Sequence, residues 1–333
     1  MGPVSVAGLG WVHRIFSQRI VWERRMIDPR LHTLRMLREQ GTVTATAGAL
    51  HLTPSTVSQQ LRTLARELDV ELLEQVGRRV KLTDAAHALL RHADLLFAQS
   101  ESARAELAAH RAGMAGVLRI SSMPTALAAL IAPAAARLRD QHPGLTVELI
   151  EDESSHCFEL LLAGDSDIAV VLPSPSSPAP GDLRFEQRNL LAEPMDLVVP
   201  VGHPLAGRTG VTLSEAAGEP WITGRERITH RLVVSAACAA AGFTPRIAGQ
   251  AVDFTGVAAM VAHGFGVSLI SRLGMIPPEL AVVRVPLHGE PIPMRRHLTV
   301  VRRGGYEHPV IAEALRVIRA VCREHPGVTL LDS

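Results

Sequence analysis

Residues 50–83 read LHLTPSTVSQQLRTLARELDVELLEQVGRRVKLT. Within them Val57, Leu61, Leu64 and Leu68 recur at intervals of four, three and four, which places all of them on one side of a 3.6-residue helix. Thr53 stands where a side-chain oxygen can accept the first free amide, and Pro54 suits the first turn because its missing donor is not needed there. Ser55, Gln59, Arg62 and Arg66 fall roughly opposite the apolar stripe, with Thr56 and Ser58 on its flanks. Hydroxyl and amide groups thus crowd the N-terminal half of the polar face, where they suit base edges. The arginines lie further along, where they suit phosphates. An ordinary surface helix has the same binary pattern, so the flanking sequence decides.

Before this helix, Leu31, Leu34 and Leu37 mark an amphipathic helix closed by Gly41, and Thr44–Leu50 reads as a second, short one. After it, Val70–Leu73 and Val80–Leu82 are strand-like runs separated by Gln75-Val76-Gly77-Arg78-Arg79. A glycine turn beside arginines reads as a wing that holds a phosphate or enters the minor groove. Three helices and a hairpin make a winged helix-turn-helix. The expected DNA contacts are Ser55, Thr56, Ser58, Gln59, Arg62, Arg78 and Arg79.

From about Asp28 to His87 the chain resembles the N-terminal domain of the LysR-type transcriptional regulators. Gly41-Thr42-Val43-Thr44 matches that family's approach to helix two, and Ala47, Leu50, Val57, Ser58, Gln60, Leu61, Leu64, Glu67 and Leu68 fall at its helix positions. Leu72-Leu73-Glu74, Gly77-Arg78 and Leu82-Thr83 match its wing and the start of the next helix. There are departures. Thr46 replaces the first of a usual alanine pair, and Gly48 weakens the short helix by roughly 1 kcal/mol relative to alanine. Gln59 and Gln75 stand where the family usually has arginine. Because glutamine prefers adenine where arginine prefers guanine, a half-site sequence does not transfer from the family.

The chain is long enough for two or more domains, and its net charge of +1 says little about nucleic acid. Even Asp28–Asp84 holds eight basic residues against seven acidic ones, so DNA affinity rests on where Arg62, Arg66, Arg78, Arg79 and Lys81 point, and on two copies per complex. Cys157, Cys238 and Cys322 are far apart and lack a CxxC spacing, which reads as free buried thiols. Residues 1–25 carry their positive charges after the apolar run Val4–Val12, which is far too short to span a membrane. They read as a poorly ordered extension, with Trp11, Ile15, Ile20 and Trp22 forming at most a weak helix, or as a mis-assigned start before Met26. The expected location is cytoplasmic, without a membrane partner.

From Thr83 to about Arg111 the spacing predicts one long helix. Ala86, Leu89, Ala93, Leu96, Ser100, Ala103 and Leu107 alternate at three and four residues, a seam with mostly small residues at one position. A single helix packing on its own domain has the same pattern. The stretch is similar to the family's linker helix, which implies a dimerisation seam of Ala86, Leu89, Ala93, Leu96, Ala103 and Leu107. Two recognition helices related by a two-fold axis require an inverted-repeat operator. The implied partners are double-stranded DNA and further copies of the chain, as dimer or tetramer, with RNA polymerase a candidate.

Beyond Gly113 and Gly116 the pattern changes to strand (Val117–Ser121), helix (Ala126–Arg139), strand (Leu145–Ile150), helix (Phe158–Ala163) and strand (Asp167–Leu172). Such alternation predicts a parallel α/β sheet. A second set follows: Met195–Pro200, Thr229–Ala241, Arg246–Val252, Thr255–His263 and Gly266–Ser271. A strand at His297–Val301 and a helix at Pro309–Arg323 return to the first set. This half resembles the family's two-lobed effector domain, a fold like that of periplasmic solute-binding proteins. The expected division is an extension over 1–25, the winged head over 26–85, a linker over 86–112 and an effector domain over 115–325. Lobe I takes about 115–192 and 295–325, and lobe II about 193–294.

In such folds ligands bind at strand C-termini facing helix N-termini. Ser121-Ser122-Met123-Pro124-Thr125 and Asp253-Phe254-Thr255 have that setting, although from the residues alone plain helix capping is the better explanation. The resemblance turns Ser121, Ser122, Thr125, Asp253 and Thr255 towards an effector. Thr223 and Arg225, in Trp221-Ile222-Thr223-Gly224-Arg225, are a third candidate, because a cleft arginine suits a carboxylate. No hydrolase elbow, phosphate loop, HExxH or full dinucleotide fingerprint occurs, and Gly264-Phe265-Gly266 precedes a strand instead of following one. Neither enzyme activity, cofactor nor metal is expected. The reading is a DNA-binding regulator that answers a small molecule of unspecified identity. The alternatives are a solute-binding protein, which would need a secretion signal and no winged helix, and a constitutive DNA-binding protein, which would need no cleft.

Overall fold

A computed structural model describes residues 26–332, apart from 77–78, 111–112, 227–228 and 290–291. The N-terminal extension and Arg78 therefore lie outside the described residues, as does the side chain of Arg79.

Among the described residues three helices come first: α1 (Pro29–Gln40), α2 (Val43–Ala49) and α3 (Pro54–Glu67). Each start is set by a short polar side chain that accepts a free amide: Asp28 from Arg30, Thr42 from Ala45 and Thr53 from Thr56. Leu34 and Leu37 of α1, Ala47 of α2 and Val57, Leu61 and Leu64 of α3 share one core. The apolar stripe of α3 stops there, since Leu68 is 45% exposed. Strands β1 (Leu73–Val76) and β2 (Arg79–Leu82) then pair antiparallel, with Glu74 opposite Lys81. The first strand starts three residues later than its apolar run suggests. Asp69 turns the chain in the left-handed region (φ 52°), which aspartate tolerates better than most residues, and Val70 and Glu71 stay exposed before the ladder begins.

Helix α4 (Asp84–Ala109) leads from this head to an eight-stranded mixed sheet. Strand β3 (Gly116–Ser122) lies between β4 (Leu145–Glu151) and β5 (Ile168–Val171), all parallel as expected. Beyond β5, however, β11 (Met294–Arg302) and β6 (Phe185–Pro200) run antiparallel. The helices of this half are α5, made of Pro124–Ala126, a π-helical turn at Leu127–Ile131 and Ala132–Gln141, together with α6 (Ser154–Ala163) and a later α9 (Pro309–Glu324).

The strand expected at 195–200 is only the far half of β6. That 16-residue strand runs through both lobes: its first half pairs with β11 and its second with β9 (Ser268–Ser271) and β10 (Val282–Val285). Its polar first half, Glu186-Gln187-Arg188-Asn189, hides the continuity from a hydrophobicity reading. Strands β7 (Pro220–Gly224) and β8 (Arg246–Ala251) form a parallel pair, and α7 (Thr229–Ala240) and α8 (Phe254–Ala262) complete the second lobe. Strands β7, β10 and a short β12 (Thr329–Leu330) have no counterpart among the expected elements. Each lobe has its own core, centred on Ile120, Leu138 and Ile318 in the first and on Leu197, Trp221 and Leu269 in the second.

The head is seated on the first lobe. Met36 of α1, with no exposed surface, joins Phe158, Leu161, Leu162 and Phe185 in one cluster. Around it Gln40 donates to Glu159 (2.9 Å), Arg184 pairs with Glu39 (2.5 Å), and Arg35 lies over the Phe97 ring, 3.7 Å from its centre.

Candidate functional site

The polar face of α3 points away from all of this. Ser55, Gln59, Arg62 and Arg66 are exposed, and Thr56 and Ser58 are half-buried beside the stripe. The hydroxyls of Ser55 and Thr56 both lie 2.8 Å from that of Thr53, so the first turn presents a pre-formed cluster of donors and acceptors. Gln59 accepts from Arg62 and donates to Thr63, each at 3.4 Å, long contacts that a better partner replaces readily. Gln60, its neighbour, is turned inward and accepts from the Thr33 hydroxyl at 2.5 Å. One glutamine faces solvent and the other ties α3 to α1.

The expected seam of α4 needs correction. Ala86 and Ala93 have no exposed surface and, with Leu90 and Phe97, belong to the head's own core; Leu89 packs partly against it. Further along, Ser100, Glu101 and Ala105 are buried against the first lobe, where Arg302 donates to Glu101 at 3.0 Å. The small residues are small because their own chain presses on them. Gly304 shows how closely: it has φ 85°, and a β-carbon there would stand 2.6 Å from the carbonyl oxygen of Ala98. Only the outer edge of the seam remains open, with Leu96 and Leu107 about half exposed (53% and 51%) and Ala103 half-buried between them.

Between the lobes lies a cavity of about 260 Å³. Its polar lining comes from strand C-termini and helix N-termini of both lobes: Thr125, Glu151 and Glu153 from the first, Thr229, His230, Asp253 and Thr255 from the second. Methionines 123, 195 and 275, Leu172, Val233, Leu273 and Phe254 supply apolar walls. Ala128, in the π-helical turn of α5, also faces it. Of the six effector contacts expected, Thr125, Asp253 and Thr255 meet here and the other three do not. Ser121 is buried in a hydrogen bond with Ser166 (2.9 Å), Ser122 donates to the Met123 carbonyl, and Thr223 is enclosed and donates to the Gly224 carbonyl. Asp253 does cap its helix as well, accepting from the amide of Gly256 at 2.7 Å.

The cleft arginine is Arg295, not Arg225, which is exposed outside the lining. Arg295 crosses the gap at the floor: it donates to Thr125 of the first lobe (3.1 Å) and to Ser271 of the second (2.6 Å). Its charge is answered by Glu193 at 3.5 Å, which also accepts from His297 and from the amide of Leu273, each at 2.8 Å. Burial works against ionisation of Glu193, yet the His297 hydrogen bond and the Arg295 charge outweigh it and hold its pKa below the usual carboxylate range. Burial likewise pushes the His297 imidazole down, and takes that of His230 down to about 4, so both are neutral at pH 7. This trio sits where β6 and β11 cross between lobes, next to the register shift at His297/Leu298. Sequence reasoning missed it. The available signal was weak: strand alternation puts Arg295, His297 and Thr299 on one face of β11, an oddly polar side for a strand between lobes.

All three cysteines are buried and free, no metal-binding group of side chains occurs among the described residues, and none of their helices is long and apolar enough to cross a membrane.

A family model described as the LysR substrate binding domain matches residues 111–323, and one described as a bacterial regulatory helix-turn-helix protein, lysR family, matches residues 29–87. The chain is 30% identical over 227 residues to the HTH-type transcriptional regulator AlsR of Bacillus subtilis, covering 67% of this chain and 73% of that protein. It is 29% identical over 248 residues to the HTH-type transcriptional regulator TtuA of Agrobacterium vitis, covering 72% and 79%. Among solved structures it is similar to a full-length OxyR variant from Pseudomonas aeruginosa, with a TM-score of 0.64, 20% identity and coverage of 92% and 99%. Full-length BenM aligns with a TM-score of 0.55, 23% identity and coverage of 89% and 96%. At these identities the structures speak for the fold.

Proposed function

The chain belongs to the LysR family of DNA-binding transcription regulators, and from that premise we propose that it reads an inverted-repeat operator under the control of a small molecule held between its two lobes. Residues 26–85 act as the reading head, 86–112 as linker and 115–325 as sensor. Ser55, Thr56, Ser58 and Gln59 face base edges, while Arg62, Arg78 and Arg79 hold phosphates. Two heads are paired through the open edge of α4 formed by Leu96, Ala103 and Leu107.

The observation that carries the control is Arg295, a buried cation bonded to both lobes at the floor of a cavity that both lobes line. A ligand there changes how the lobes close on each other. Because Met36 and its ionic surround seat the head on the first lobe, a shift of that lobe moves the recognition helix and the spacing of paired heads. Binding on its own transfers no information; the ligand must favour one lobe arrangement over another.

Filling the cleft tests this directly. Ala128 is exposed and faces the cavity, so Ala128→Trp blocks it without opening the core. A reporter fused to the promoter beside the protein's own gene, in cells grown on varied carbon and nitrogen sources, should respond with the wild type and stay constant with Ala128→Trp. Gel shifts should show both proteins bound to that DNA. A variant that still responds would refute the cleft as the control site.

A further inference from the structure

We propose that the cleft takes an organic cation with a compact apolar body, such as a protonated amine, in preference to a carboxylate; this rests on the reading of the cleft as the effector site. The argument is one of charge within the cavity. Three carboxylates line it, Glu151, Glu153 and Asp253, against one cation, Arg295. Glu193, buried behind the arginine, already answers that cation.

Two of the helix N-termini at the cavity, which would otherwise attract an anion, are occupied by the protein's own acids. Glu153 stands at the cap position of α6, and Asp253 caps α8 and accepts from Gly256. A helix end is worth about half a positive charge, so each of these carboxylates more than cancels the end it covers. Arg295 has few donors to spare, since its two terminal nitrogens are engaged with Ser271, Thr125 and the Met123 sulfur. A ligand carboxylate would compete with those bonds while facing three carboxylates of the wall. An ammonium group facing Glu153 and Asp253 displaces nothing, and its body meets Met123, Met195, Val233 and Phe254, with the ring of Phe254 a suitable neighbour for a cation. At the exposed mouth of the cavity, partial burial and the neighbouring Asp152 push the Glu153 pKa up, against the pull of Arg295, and a bound cation would act with Arg295. His230, neutral and donating its Nε2 proton to the Leu269 carbonyl (2.8 Å), adds no positive charge to the wall.

The test is calorimetric titration of the full chain with three probes that share a phenyl body: 2-phenylethylammonium, 3-phenylpropionate and phenylalanine, each to millimolar concentration. The amine should bind at least about tenfold more tightly than the carboxylate. Glu153→Gln and Asp253→Asn, the second of which keeps a capping side chain, should each weaken the amine several-fold and leave the carboxylate unchanged or tighter. Equal or tighter binding of the carboxylate or the zwitterion overturns the proposal, as does an amine affinity that neither variant moves. Ala128→Trp separates the two levels. If the carboxylate wins and Ala128→Trp abolishes its binding, the cleft stands as the site and only the ligand class falls. If no probe binds, or binding survives Ala128→Trp, the cleft reading falls and the ligand class with it.

Discussion

Gln59 is exposed and held only by two 3.4 Å contacts, whereas Gln60 is committed to Thr33. Gln59→Arg should move base preference from adenine towards guanine at one operator position, a change of about 1–3 kcal/mol in discrimination visible in selection from random DNA. Arg62→Ala should weaken binding to all sequences alike and lower the salt slope by about one. A shift in preference with Arg62→Ala, or none with Gln59→Arg, would mean that α3 docks differently. At the floor of the cleft, Glu193→Leu leaves Arg295 without its buried counter-charge and should cost about 3–5 kcal/mol in urea unfolding, whereas Arg295→Met with Glu193→Leu should recover much of that loss. Acid acts on the neighbouring histidines. His230 has a folded pKa of about 4 against an ordinary 6.5, so between those values the unfolded chain holds a proton that the folded one does not. Stability is therefore full above about pH 6.5 and falls as pH drops towards 4, by at most about 1.4 kcal/mol per unit for this residue. His297 shifts in the same direction, while Glu193, held low, gives up its contribution only in more acid solution. Denaturation midpoints at pH 7.5 and 5 should show the drop, and His230→Gln should flatten it.

At the scale of elements, α4 divides its labour between two faces. One face is spent inside the chain, Ala86 and Ala93 on the head and Ser100 and Ala105 on the first lobe, and the other leaves Leu96 and Leu107 in solvent. Leu96→Glu with Leu107→Glu should therefore reduce the assembly by one step in sedimentation while each chain still unfolds cooperatively. Ala93→Leu should do the reverse, overpacking the head by about 1–3 kcal/mol and leaving assembly unchanged. Helix α1 carries a similar double duty, since Leu34 faces the head and Met36 the lobe. Met36→Ala should remove about 2–5 kcal/mol of packing at the head–lobe contact and uncouple the two. Its operator binding should persist in gel shifts while the reporter loses its response.

Taken as a whole, the molecule ties three things in series: a cavity whose floor is bonded to both lobes, a first lobe that seats the head through Met36, and a head whose reading face is free. Each link is short, so the proposed control needs no separate signalling element between the cleft and α3. If the seat is the path, chemical cross-links between Gln40→Cys and Glu159→Cys, whose native side chains lie 2.9 Å apart, should hold the reporter at one output whatever the growth condition. A response that persists in the cross-linked protein would place the coupling elsewhere.

Residues 29–87 were legible in the sequence because local rules govern them: caps at Asp28, Thr42 and Thr53, a glycine stop at Gly41 and a 3.6-residue stripe all act within a few positions. The exposed polar face of α3 followed from that periodicity alone, and so did the alternation of β3, α5, β4, α6 and β5. The cleft did not. A serine or threonine after a strand caps a helix, lines a ligand site or hides in a core according to what the rest of the chain brings opposite, and Thr125 and Ser121, four residues apart, went different ways. The heptad of α4 was equally mute, because a periodicity reports that a face is covered and not by which partner. Arg295 needed folding most of all. Its three polar neighbours come from residues 24, 102 and 170 positions away, so only the closed chain could decide that the cleft is built around it.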